Sequence, residues 1–85
     1  MGDADDRLAV QQAVHACAGN TRVQEETLKS LRDSESALHK TLSSSKVLLE
    51  AFLQELRQYA RTDAQMKTLY TDVLLIVQAW TWPSH

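Results

Sequence analysis

His15 and Cys17, two residues apart in the run AVHACAGN, are the side chains here best suited to metal ligation or thiol chemistry. An imidazole beside a thiol can share a zinc ion or activate the sulfur as a nucleophile. On a helix, however, positions i and i+2 point about 200° apart, so the two groups would not converge on one atom. A zinc site also needs four ligands, and His39 and His85 lie far along the chain. Cys17 therefore reads as a small buried apolar residue, and His39 as a solvated flank.

Glu35 and Asp63 are the next candidates. Acid–base work would require them to share a pocket, but on a straight helix they would stand roughly 42 Å apart at 1.5 Å per residue. Their expected role is to set register and partner choice, as a lone buried polar group does in a coiled coil. The sequence has no Gly-rich phosphate loop, nucleophile elbow or paired-histidine zinc motif. No catalytic residue, metal ligand or cofactor site is assigned, and the chain is expected to be non-enzymatic.

The elements that carry these residues follow from composition and periodicity. With 85 residues, two Gly and one Pro, the chain is one domain with too few turn formers for an all-β fold. Its 44% hydrophobic content excludes a disordered chain. A net charge of −2, with basic residues spread among acids, argues against a nucleic-acid partner. A single cysteine, and an N-terminus MGDADDR without the basic and apolar regions of a signal peptide, lead to an expected cytoplasmic or nuclear rather than secreted location. The longest apolar run, Val73 to Val77, falls far short of the ~20 residues of a membrane span.

The fold class expected is all-α. Residues 3–18 should form a short helix with Asp3, Asp5 and Asp6 at its positive end. Gly19-Asn20 ends it, and Thr21 with Gln24 has capping-box spacing, so 19–21 is a tight turn. From residue 22 to 80 there is no Gly or Pro. With Leu28 at heptad position a, every a and d position is apolar or aromatic except Glu35, Ser45 and Asp63. This predicts a long heptad-patterned helix over 22–80 in a coiled-coil or helical-bundle assembly, with 81–85 as a tail. Serines 43–45 weaken helix propensity, and Thr62 with Gln65 repeats the capping-box spacing. Because the heptad phase crosses both places, continuity is expected at the serines, and a break at 61–63 is an open alternative.

The flanks bear on function. Leu48, Leu69 and Ile76 at g, Leu53 and Leu74 at e, and Leu75 at f make the second half apolar on most of its circumference. A first helix of roughly 24 Å cannot cover it, which leaves an apolar surface in need of a companion. The expected partner interface runs through Leu42, Leu48, Leu49, Phe52, Leu53, Leu56 and Tyr59. It continues through Met66, Leu69, Tyr70, Val73, Leu74, Leu75, Ile76, Val77 and Trp80, with Trp82 as an anchor beyond the helix end. A parallel homodimer would gain no ion pair between its flanks, and an antiparallel one would bring Arg32, Lys46 and Lys67 towards other cations. A different chain with acidic flanking positions answers both problems. The expected function is therefore a structural or adaptor subunit of a heteromeric helical complex. One alternative is a membrane-surface helical protein, against which the absence of Lys and Arg from 68–85 counts. The other is an autonomous three-helix domain, or small chaperone, that binds one partner helix.

Overall fold

Asn20, Ser36, Ser45 and Asp63 divide the chain. Each holds an extended or polyproline-like backbone, and each side-chain oxygen accepts a hydrogen bond from a backbone N–H two or three residues on. The protein, described here over residues 3–80 by a computed structural model, is all-helical. Its helices are α1 (Asp3–Cys17), α2 (Thr21–Arg32), α3 (Ala37–Ser44), α4 (Lys46–Ala60) and α5 (Ala64–Gln78). The long helix expected over 22–80 is thus four helices. A continuous one would run roughly 88 Å at 1.5 Å per residue, whereas the longest dimension of the molecule is 34 Å.

The three joints fall at the three polar seam positions. Residues 33–36, Asp-Ser-Glu-Ser, fold into a turn that closes α2 without glycine. The Asp33 N–H donates to Lys29 O and Ser30 O, and Asp33 Oδ1 accepts from the Glu35 N–H at 2.9 Å. Ser36 Oγ donates to Ser30 O and also accepts from the His39 N–H that opens α3. Ser45 ends α3 and caps α4 at once, accepting from the Leu48 N–H at 3.3 Å. Asp63 Oδ1 accepts from the Gln65 and Met66 N–H groups at 3.0 and 3.2 Å, so the cap is Asp63 and not Thr62. Glu35 and Asp63 therefore sit in turns and not on a coiled-coil seam. Replacing Asp63 with Ala should cost about 1 kcal/mol, seen as a lower urea midpoint at unchanged slope. An unmoved midpoint would mean that packing alone starts α5.

At the first turn Gly19 takes the left-handed conformation, φ 69°, as a C-terminal cap requires. The next cap is Asn20, whose Oδ1 accepts from the Val23 N–H at 3.1 Å, in place of the expected Thr21. The Gln24 side chain, expected to reach back in a capping box, is buried. Its Nε2 donates to Cys17 O at 2.9 Å, satisfying a terminal carbonyl of α1.

Two helical hairpins result, α1–α2 and α4–α5, joined by α3. They pack in a ring in which α1 meets α4 and α2 meets α5, while α3 rests on α2 and α4 at one end. The core is Val10, Val14 and Cys17 from α1, Leu31 from α2 and Leu42 from α3. To these are added Leu48, Leu49, Phe52 and Leu56 from α4, and Met66, Leu69, Val73 and Val77 from α5. Phe52 is the largest of its fully buried side chains. His39 locks the α3 end. Its Nδ1 lies 2.7 Å from Leu31 O, and since a carbonyl can only accept, Nδ1 carries the proton. The same ring packs against Trp80, centroids 4.4 Å apart, tying α3 to the end of α5.

Candidate interaction surface

The side chains read for chemistry are parts of the scaffold. His15 is exposed on the α4 side of α1, where its Nδ1 shares a 2.8 Å hydrogen bond with Tyr59 Oη. Cys17 is buried against α2, within 3.4 Å of Thr27 Oγ1 and of Ala13 O. Burial pushes the Cys17 thiol up from its ordinary value, against a smaller opposite pull from the Thr27 hydrogen bond. A thiol held neutral in this way is a poor nucleophile. Among the described residues no three His, Cys, Asp or Glu side chains gather as a metal group. None of the described helices is long and apolar enough to cross a membrane.

The residues expected to meet a partner fall into three groups. Leu42, Leu48, Leu49, Phe52, Leu56, Met66, Leu69, Val73 and Val77 lie in the chain's own core. Leu53, Tyr59, Tyr70, Ile76 and Trp80 are half-buried against that core. Leu74 is half-exposed, Leu75 is 62% exposed, and Trp82 lies outside the described residues. The apolar surplus is therefore much smaller than the sequence predicts. A long helix would have shown residues 45–80 to solvent, whereas the α4–α5 hairpin turns each helix's apolar face onto the other and onto α1 and α2. No companion is needed to close the core. Leu8 and Val47, exposed by 52% and 54%, escaped the sequence reading because neither lies on the heptad seam.

Two of the half-buried apolar residues, Leu53 and Tyr70, meet on the flank of the α4–α5 hairpin. A groove of about 540 Å³ there is lined by Glu50, Leu53, Gln54, Arg57, Gln58, Arg61 and Tyr70. Helical spacing puts Lys46 on the same row of α4, and Lys67 and Leu74 on the same flank of α5 as Tyr70. Arg57 and Arg61 are exposed, and neither has a carboxylate within ion-pair distance. The one ion pair among the described residues is Arg22–Glu26, at 3.6 Å on α2. The matching groove between α2 and α5 differs in charge, holding Glu25 and Asp72 and no cation.

The fold thus defines a small all-helical bundle with one cation-rimmed flank. No protein-family model, curated protein or solved structure matches the chain.

Proposed function

We propose that this protein is a non-enzymatic adaptor, a self-folded helical bundle that joins a heteromeric helical complex through the exterior of its α4–α5 hairpin. The observation that supports the reading is the α4–α5 groove, where half-buried Leu53 and Tyr70 lie beside exposed Arg57 and Arg61. Aliphatic and aromatic side chains left half-exposed beside an arginine pair have the composition of an interface centre, in which Tyr and Arg are enriched. The bundle closes its own core, so docking would be reversible and not a condition of folding. In folding on its own the bundle shares a feature with the alternative reading of an autonomous three-helix domain, though it has five helices.

Cross-linking of the tagged chain in its own cells tests this. Lys46 and Lys67 flank the hairpin surface and should carry most of the inter-protein links, while the isolated chain sediments as a folded monomer. Links scattered evenly over all exposed lysines, or none to another protein, would refute the adaptor reading.

A further inference from the structure

We propose that the α4–α5 groove is a docking site for an acidic amphipathic helix of a partner protein, an inference that rests on the adaptor reading. Charge is the first argument. The chain as a whole is acidic, at −2, yet the groove lining holds Arg57 and Arg61 against the one acid Glu50, with Lys46 and Lys67 on the same helical rows. Arg57 lies in the last turn of α4, Arg61 one turn on at its C-cap, and Lys67 in the first turn of α5, so the cations cluster around the 61–63 turn, where the Asp63 carboxylate is engaged in capping α5. Among the described residues no carboxylate pairs with the two guanidiniums, whose planar donor forks suit carboxylates.

Backbone chemistry is the second argument. The groove walls are two helices whose main-chain groups are already bonded along their lengths, so they offer no ladder to an extended peptide. An occupant gains no backbone pairing from the walls, which favours one that satisfies its own backbone, as a helix does. A helix laid between α4 and α5 would place apolar residues three and four apart over Leu53, Tyr70 and Leu74. Its Asp or Glu flanks would meet the cations, in the usual packing of side-chain ridges into grooves. The 15 residues of α4 span roughly 22 Å, which sets the length of helix the groove can seat at about four turns.

The test uses the full chain and a fluorescent peptide of about four helical turns, with Leu spaced three and four apart and Glu on both flanks. A control peptide carries Lys in place of Glu. The Glu-flanked peptide should bind saturably and at least about tenfold tighter than the control, with affinity falling as salt rises. The Arg57→Gln/Arg61→Gln pair should weaken it by about tenfold, with circular dichroism unchanged because both side chains are exposed. Glu50→Lys should tighten binding, a gain that misfolding cannot mimic. Absence of saturable binding, equal binding of the two peptides, or indifference to both variants overturns the proposal. So does a self-association abolished by the Gln pair, which would make a second copy the occupant. Flotation with phosphatidylserine vesicles that the Gln pair abolishes would assign the groove to a lipid surface and overturn it as well. If the Gln pair keeps every partner cross-linked in cells, the groove assignment falls while the adaptor reading stands. If neither version captures a partner, both fall.

Discussion

Phe52→Ala should remove about 3–5 kcal/mol of stability, the loss typical of a buried aromatic truncated to a methyl. Phe52 is fully buried, the largest of the fully buried side chains, and is placed where α4 faces the rest of the core. A domain of this size has a total stability of about 4–13 kcal/mol, so the variant would lose about a quarter or more of it and would unfold outright if the parent lies at the low end. Urea unfolding followed by circular dichroism measures the effect: the midpoint should drop sharply with little change in slope. A loss below about 1 kcal/mol would mean that the core collapses around the gap, or that Phe52 is not where it is placed here.

Leu42→Ala should be nearly as costly, at about 2–5 kcal/mol, but with a different signature. Leu42 is the one fully buried residue of α3, a helix of 8 residues that rests mainly on α2 and α4 at the end of the bundle. An isolated helix of that length has no stability of its own, so α3 holds its shape only while Leu42 is seated. Hydrogen exchange should therefore quicken first across 37–44, with the core amides of α4 and α5 retaining protection. The loss should lie towards the low end of the range, because an undocked α3 caps the penalty. Equal loss of protection in all helices would show that α3 is an integral part of the folding unit.

Every apolar a and d residue read from the heptad pattern, Leu28 through Trp80, is buried or half-buried. The inner face of each helix was legible because periodicity within a helix is a local property. The continuity of those helices was misread from the same pattern. A heptad phase that crosses a break looks the same as one that crosses a straight helix, and it hides the turn at Asp33, Ser34 and Ser36. The better signal lay in the departures from the pattern: Glu35, Ser45 and Asp63 mark the three joints. The interaction surface was less legible still. Arg57 and Arg61 fall off the seam, and the role of Leu53 beside them appears only once α5 lies alongside α4 and brings Tyr70 to the same groove.

By itself, the sequence determined that the chain is helical, which face of each helix is apolar, that Gly19 ends the first helix, and that a second helix starts just after it. These follow from side-chain periodicity and from hydrogen bonds between residues a few positions apart. Only the tertiary structure decided that the joints bend, that nine of the expected interface residues serve the chain's own core, and that Leu75 and the Leu53–Tyr70 flank stay open. At a joint such as Ser45, helix continuation and a capped break differ in one residue's φ and ψ and in the few backbone hydrogen bonds exchanged for the cap. What tips the balance is the apolar area buried when the two hairpins close on each other, a gain shared among residues far apart in the chain.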